Sequence, residues 1–404
     1  MEEGTQKVIY MDNASTTPLC DAVKERIKKS MGLDSFANPS NSYGIASNEY
    51  NKIRCAKIDT MIHFNGKLSK YDVYYTSGAT ESNNWALRSF AETFGKKGVI
   101  ITDTIEHPSV YNTALDLKNK NKCTVVFVES TPYGIVDKNK LVREIKKRAP
   151  HRPTLVSLMA VNNQLGTIQP IKEVGLVCKE YGAYFHVDAT QAIGRVKIDL
   201  ENDNIDMLSF SAHKFGGMKG IGALICRKDL NITPLLTGGK QNHGKRAGTE
   251  NVLGILTTKD ALENALKDFY EKHVKLQEME DYIVHNLRSD AFYVNGSKIY
   301  GEKVPGFLSL SFRGISGYEL SLMLEANKIY TSTTSACETG VEKINRVLAA
   351  CGYDEDRIKG TIRITLSADN TMEECEELVK KINELLDGLA TGEILGLLGL
   401  TNKE

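Results

Sequence analysis

The sequence predicts an α/β protein: a mostly parallel sheet in a large domain, followed by a smaller α+β domain. Three observations carry this. From about residue 70, short apolar runs alternate with helical stretches: Val99-Ile100-Ile101, Thr124-Val125-Val126-Phe127-Val128, Leu155-Val156-Ser157-Leu158-Met159, Tyr184-Phe185-His186-Val187 and Ala223-Leu224-Ile225. Between them, Val174, Val177, Cys178 and Tyr181 recur at i, i+3, i+4 and i+7, one face of a helix. Strands apolar at successive positions are buried on both faces, the pattern of a parallel sheet covered by helices. After residue 300 the pattern changes. Phe307-Leu308-Ser309-Leu310-Ser311-Phe312 and Thr361-Ile362-Arg363-Ile364-Thr365-Leu366 alternate with period two, which predicts one buried face.

The remaining elements follow in order. Val8-Ile9-Tyr10-Met11-Asp12-Asn13-Ala14 reads as a short strand entering the polar turn Ser15-Thr16-Thr17-Pro18. Residues from about 259 to 288 read as one long helix, with Leu262, Leu266, Phe269, Leu276, Ile283 and Leu287 near one face. Thr371-Met372-Glu373-Glu374 has the form of a capping box before a helix that carries Cys375, Leu378, Val379, Ile382 and Leu386 on one side. The expected large domain spans 20–265. Residues 1–19 and 266–404 form the smaller one, which includes a polar loop at about 330–342.

The 404 residues suffice for a large core. With 51 basic against 51 acidic residues, no global field draws the chain to nucleic acid or an anionic membrane. Eight cysteines show no C-x-x-C pair and no framework spacing, which predicts reduced thiols and a cytoplasmic setting. Met1-Glu2-Glu3-Gly4 lacks an apolar signal core, and the run from Ile394 to Leu400 is too short to span a bilayer. No metal site is expected.

Polar clusters follow the apolar runs, where open α/β sheets place ligands. Ser209-Phe210-Ser211-Ala212-His213-Lys214 reads as a strand end that delivers a hydroxyl, an imidazole and a lysine, with Gly216-Gly217 beyond. Lys214 is a candidate Schiff-base lysine. Taken alone, the stretch favours a plainer account, a surface lysine beside a core histidine. Thr76-Ser77-Gly78-Ala79-Thr80-Glu81-Ser82-Asn83-Asn84 follows a strand and opens a helix, so it suits either a phosphate or a simple N-capped turn. Asp188 ends a buried strand, where an acid is costly without a cationic partner; a protonated pyridine nitrogen would serve. Asn162-Asn163 suit a phenolate oxygen, or an Asx turn. His107, after Glu106, would alone count as structural. All these clusters end strands of one sheet, and together they describe a pyridoxal phosphate site.

Over nearly its whole length the chain resembles the class I cysteine desulfurases of the NifS/IscS type, fold-type I pyridoxal-phosphate enzymes of the class-V aminotransferase family. The matching stretches are Tyr10-Met11-Asp12-Asn13, 76–83, Glu106-His107, 161–166, 186–191, 209–214, Arg246-Ala247-Gly248-Thr249-Glu250-Asn251 and Ser335-Ala336-Cys337. The resemblance implies that Lys214 binds the cofactor covalently and acts as a base. It implies that Asp188 holds the pyridine nitrogen protonated, that His107 stacks on the ring and moves protons, and that Asn163 and Gln191 contact the phenolate oxygen. Ala79, Thr80, Ser211 and His213 would bind phosphate, and Thr249 would reach the phosphate of the other subunit in a homodimer. Arg363 would clamp the substrate carboxylate, with Asn163 also touching substrate. Since Ile362 and Ile364 bury one face of their strand, Arg363 is expected on the other.

The loop around Cys337 separates this reaction from others on the same cofactor. Residues 331–340 are polar and end in glycine, so they read as a mobile loop. A thiolate at Cys337 would take the sulfur of L-cysteine as a persulfide, release alanine and carry the sulfur to an acceptor protein for iron–sulfur cluster assembly or tRNA thiolation. The alternatives are a selenocysteine lyase or an aminotransferase of the same fold, and a non-catalytic scaffold. Three departures from the family pattern stand out: Gln164 where glutamate is common, a shortened stretch from Asn38 to Gly44 without the usual histidine, and Glu338 next to Cys337. A neighbouring carboxylate disfavours a thiolate, and the nearest basic side chain in sequence is Lys343. Glu338→Ser is therefore expected to lower the Cys337 pKa, measured as thiol alkylation rate against pH; an unchanged profile refutes the effect.

Overall fold

The computed structural model describes residues 7–30, 36–299, 301–333 and 344–391, which fall into two compact units. The smaller unit begins with β1 (Ile9–Tyr10). The larger unit runs through Thr16–Asn163 and Thr167–Phe269. Its sheet is built from β2 (Tyr71–Thr76), β3 (Val99–Asp103), β4 (Thr124–Val128), β5 (Thr154–Met159), β6 (Tyr184–Asp188), β7 (Met207–Ser211) and β8 (Gly222–Arg227). The order across the sheet is β2-β8-β7-β6-β5-β3-β4. Strands β3 to β7 pair in parallel, while β8 runs antiparallel to both β7 and β2. Two reversals restore the direction, so β2 ends on the same edge as β7.

The expected alternation of strand and helix is present. The helices before β2 are α1 (Asp21–Ser30) and α2 (Gly44–His63). Between the strands lie α3 (Ala79–Phe94), α4 (Pro108–Asn119), α5 (Lys138–Arg148) and α6 (Ile171–Tyr181). Strands β3, β5 and β7 are buried at every position, as apolar runs covered on both sides must be. On one face Trp85, Leu87 and Phe90 of α3 pack with Tyr74, Ile100, Leu155 and Leu224 of the strands. Trp85 also donates its indole N–H to the Thr233 carbonyl at 2.7 Å.

One helix expectation fails. The stretch 259–288 is two helices, α7 (Val252–Leu266) and α8 (Phe269–Asn286). Lys267 is extended, with ψ 141°, and Asp268 takes φ 50° in the left-handed region. Aspartate is among the few residues that enter this region at modest cost.

The smaller unit holds residues up to 15, Gln164–Gly166 and the chain from Tyr270 onward. Its sheet has the order β12-β13-β10-β9, from β9 (Phe292–Val294), β10 (Phe307–Phe312), β12 (Ser332–Thr333) and β13 (Thr361–Thr365). Strand β1 pairs in parallel with β11 (Ile329–Tyr330), and Asp12 bridges to Thr365. The period-two alternation of β10 and β13 does not leave a solvated face, since both strands are buried throughout. Leu308, Leu310, Ile362 and Ile364 join a core with Ile283, Leu378 and Ile382. The polar face is satisfied internally: Asn295 donates to Ser309 and Ser311 at 3.2 and 2.7 Å, and Ser311 lies 2.7 Å from the Thr361 hydroxyl. Thr371 and Glu374 form the expected reciprocal cap, at 3.3 and 3.4 Å, on α9 (Met372–Thr391). Among the described residues no helix is long and apolar enough to cross a membrane.

Leu224 is fully buried beside the single tryptophan. Leu224→Ala is expected to destabilise the larger unit by about 2–5 kcal/mol, read as a lower urea midpoint in Trp85 fluorescence.

Candidate active site

The polar residues that follow the strands gather along one edge of the large sheet. Register explains the alignment: Met159 of β5, Asp188 of β6 and Ser209 of β7 are level, and so are Thr76, Gly222 and Ser211 across β2, β8 and β7. The expected residues Ala79, Thr80, His107, Asn163, Asp188, Gln191, Ser211, His213 and Lys214 all lie at or just beyond these strand ends. Arg363 lies in the smaller unit, and Cys337 lies outside the described residues.

The phosphate turn is a glycine-capped helix start. Gly78 is the N-cap of α3, at φ 154°, ψ 178°, a conformation in which a side chain is strained. A Cβ at Gly78 would meet Ser211 Oγ at 3.3 Å. At Gly222, between the two strands, a Cβ would lie 2.4 Å from the Phe210 carbonyl and 2.7 Å from Gly78 Cα. Two glycines thus let the turn settle onto the sheet edge. The N–H groups of Ala79 and Thr80 fall in the first turn of α3, where the helix provides no acceptor and the dipole favours an anion. Glu81 braces the turn: it accepts from Ser77 N–H at 2.7 Å and forms a two-pronged pair with Arg246 at 3.0 and 3.3 Å. Burial pushes the Glu81 carboxyl up, but Arg246 and Ser77 outweigh it and hold it below the usual range. Arg246 also ties in the loop of the exposed Thr249, which shares a cleft with Thr76 and Ser77.

The lysine turn follows β7 as a 3-10 segment, Ala212–Lys214. The polar turn near the N-terminus clasps it. Thr17 donates through N–H and Oγ1 to the His213 carbonyl at 2.9 and 3.0 Å, and its Oγ1 accepts from Gly216 N–H at 2.6 Å. Thr16 Oγ1 lies 3.2 Å from His213 Nδ1. Burial, aided by the charges of Lys214 and Lys219, lowers the His213 pKa to about 4. The ring is therefore neutral at pH 7 and meets an anion with an N–H rather than a charge.

Asp188 is 4% exposed. Among the described residues its carboxylate is met by neutral donors: Asn83 Nδ2 at 2.7 Å, Thr190 N–H at 2.9 Å and the Thr190 hydroxyl. Beneath it, the buried His186 joins Ser157 and Ser209 at 2.8 Å on each ring nitrogen, and burial pushes its pKa down. A buried acid held by neutral donors fits a protonated pyridine nitrogen. Gln191 accepts from Arg195 Nη1 on its carbonyl oxygen at 2.5 Å; an NH₂ is the end of an amide that can donate to a phenolate. Of the two amides after β5, Asn162 is fully buried and donates to the Ile105 carbonyl at 3.2 Å. His107 is the N-cap of α4 and accepts from Ser109 N–H at 3.1 Å. In the smaller unit, Arg363 is 5% exposed and its Nη2 donates to Asp12 Oδ1 and Ser15 Oγ, both at 2.7 Å. Arg363 thus sits on the polar face of β13, with its guanidinium held by a carboxylate.

The sequence names Glu81, Asn83 and Arg246 only as members of motifs, without partners. Their pairings join segments far apart in the chain. Only the polar turn at Thr16-Thr17 was conspicuous by itself.

A phosphate-type helix start, a lysine turn and a buried acid on one edge of a mostly parallel sheet define a cofactor-dependent α/β enzyme. The family profile described as "Aminotransferase class-V" matches residues 9–378. The chain belongs to this family, within its NifS/IscS-like, fold-type I branch. It is 37% identical to the cysteine desulfurase IscS of Methanosarcina thermophila over 385 residues, covering 95% of this chain and 93% of that one. It is 36% identical to the IscS of Clostridium botulinum over 383 residues, covering 94% of each. Among solved structures, a NifS-like protein superposes with a TM-score of 0.86 at 35% identity, covering 94% of this chain and all of that one. SspA in complex with cysteine gives 0.77 at 30% identity, covering 90% of this chain and all of that one.

The unfolded chain protonates a histidine near pH 6.5, the folded protein protonates His213 near 4. Acidification through that window therefore favours unfolding. Wild type is expected to lose stability between pH 6.5 and 4 more steeply than His213→Gln, compared through urea midpoints; parallel curves refute His213 as a source.

Proposed function

We propose that the chain is a pyridoxal-phosphate-dependent cysteine desulfurase that converts L-cysteine to L-alanine and keeps the sulfur on Cys337 as a persulfide. The observation that carries this reading is the placement of Lys214, Asp188, His107 and the phosphate turn on one sheet edge, in a chain 37% identical to an IscS. When bound, the cofactor supplies an electron sink for charge developed at the substrate α-carbon.

The chain's own residues would do the rest. Lys214 holds the cofactor and moves the α-proton. Asp188 keeps a proton on the pyridine nitrogen, and Asn163 and Gln191 donate to the phenolate oxygen. Ala79, Thr80, Ser211 and His213 receive the phosphate, with Thr249 added from a second copy in a homodimer. Arg363 pairs with the substrate carboxylate, its planar fork matched to two oxygens. His107 holds or delivers a proton beside the ring. Cys337 attacks the substrate sulfur: the Cβ–S bond breaks, an S–S bond forms, and Cβ takes a proton in place of sulfur. Cysteine and Cys337 thiol thus give alanine and Cys337 persulfide, with no oxidant required. An acceptor protein, for iron–sulfur assembly or tRNA thiolation, then takes the sulfur. The cysteine spacing supports a reducing, cytoplasmic setting.

The test is to assay sulfide and alanine from L-cysteine with a thiol reductant present. Wild type is expected to form both. Cys337→Ala is expected to lose at least ~100-fold of sulfide release while keeping the yellow absorbance of bound cofactor, because a nucleophile is removed and the binding site is not. Unchanged sulfide turnover in Cys337→Ala overturns the reading.

A further inference from the structure

Asn83 lies in the stretch expected to hold phosphate, yet its side chain serves two other groups. It is fully buried on α3. Its Nδ2 stands 2.7 Å from Asp188 Oδ2 and 2.9 Å from Ser109 Oγ. A carboxylate oxygen accepts, so the amide end that faces Asp188 is the NH₂. Both amide hydrogens are thereby used. Ser109 Oγ, once it accepts from Asn83, has a single proton left to give. The atom in reach is His107 Nδ1, at 2.8 Å. The Ser109 N–H points at the same Nδ1, at 3.1 Å. Two donors aimed at one ring nitrogen leave it no room for a proton, so the ring proton sits on Nε2.

We propose that Asn83 is a positioning residue that sets both poles of the site at once. It fixes the Asp188 carboxylate directly and, through the Ser109 hydroxyl, holds His107 in the neutral Nε2–H tautomer. The chain of bonds Asp188–Asn83–Ser109–His107 joins the end of β6, the first turns of α3 and the start of α4. It rests on the roles given above to Asp188 and His107, and it adds a coupling between them. Loss of Asn83 frees the Ser109 hydroxyl to rotate away from His107 and removes one of the three donors that hold Asp188. Loss of the Ser109 hydroxyl takes one donor from His107 Nδ1 and one acceptor from Asn83, but leaves the Asn83 contact to Asp188 in place.

The two arms can be read separately. Full-length protein labelled with ¹⁵N-histidine reports each ring's tautomer by NMR, with the His107 signals assigned by their loss in His107→Gln. The Nε2–H form is expected for His107 in wild type at neutral pH; in both Asn83→Ala and Ser109→Ala, where the Ser109 N–H still points at Nδ1, the Nδ1 ¹⁵N shift is expected to move and a minor Nδ1–H population to appear. Pyridoxal phosphate affinity, titrated by absorbance, is expected to fall about tenfold in Asn83→Ala, the scale of one hydrogen bond to a charged group, and to stay within twofold in Ser109→Ala. A wild-type His107 that carries its proton on Nδ1 overturns the proposal without any variant. An Asn83→Ala protein of native circular dichroism that keeps both the tautomer and the affinity overturns it too. If Asn83→Ala does not fold, Ser109→Ala still decides: an unchanged His107 Nδ1 shift with no Nδ1–H population there refutes the relay. The tautomer is read without substrate, so a failure of the desulfurase reading, which shows in sulfide release, is distinguishable from a failure of this one.

Discussion

The site depends on a negative charge kept where negative charge is expensive. Asp188 ends a strand with neighbours on both sides, in a sheet covered on both faces, and the edge around it is built to keep that carboxylate in one orientation. Neutral donors from α3 and from the turn after β6 hold its two oxygens. Beneath it, burial pushes the His186 pKa down, so the strand interior has no imidazolium ready to neutralise the acid. A carboxylate held this way is poorly compensated by the protein alone. It would gain most from a cationic heterocycle set against it, as proposed for the cofactor ring.

The glycines and the braces belong to the same constraint. On the proposed reading the phosphate group and the pyridine nitrogen belong to one small molecule, so the turn proposed to take the phosphate would have to stand within its reach of Asp188. Gly78 and Gly222 allow the turn to press against β7 and β8 with no side chain between, and Arg246 with Glu81 keeps it from springing away. Thr17 does the same for the lysine turn from the opposite end of the sequence. Buried, multidentate contacts of this kind contribute rigidity where surface ion pairs would contribute little.

Much of this was legible in the chain. Apolar runs give strands, and a polar residue directly after such a run sits at a sheet end, so order marked Asp188, Lys214 and the turn at Gly78 as candidates, and their combination with the family resemblance supplied the roles. Partnerships were not legible. Asn83 and Asn84 are equivalent in sequence, and only the fold turns Asn83 inward to Asp188 while Asn84 faces Thr113 and Arg88. The break between α7 and α8 was hidden because Leu262, Leu266 and Phe269 keep helical spacing straight across it. In the smaller unit, serine and threonine alternating with leucine and isoleucine announce a strand with one wet face; the fold buries that face because Asn295 arrives to satisfy the hydroxyls. The thiol at position 337 stands out by the chemistry of its surroundings in sequence, and it lies beyond the described residues.

The edge strand β2 has one neighbour in the sheet, β8, and Tyr71 pairs with Arg227 at its far end. During synthesis, β2 and the turn behind it leave the ribosome long before the strand that seats them. Until then β2 is an apolar ribbon with both hydrogen-bonding sides open, and the phosphate turn has neither Ser211 nor Gly222 to rest on. A chain with such long-range closure folds slowly and passes through states prone to pairing with other chains. The turn at Gly78 thus stays without its support until β8 has been made. A polypeptide cut short before β8 has nearly all the strands of the sheet but cannot seat the turn at Gly78, so on the proposed function a nascent chain would recruit the cofactor only once its sheet is complete.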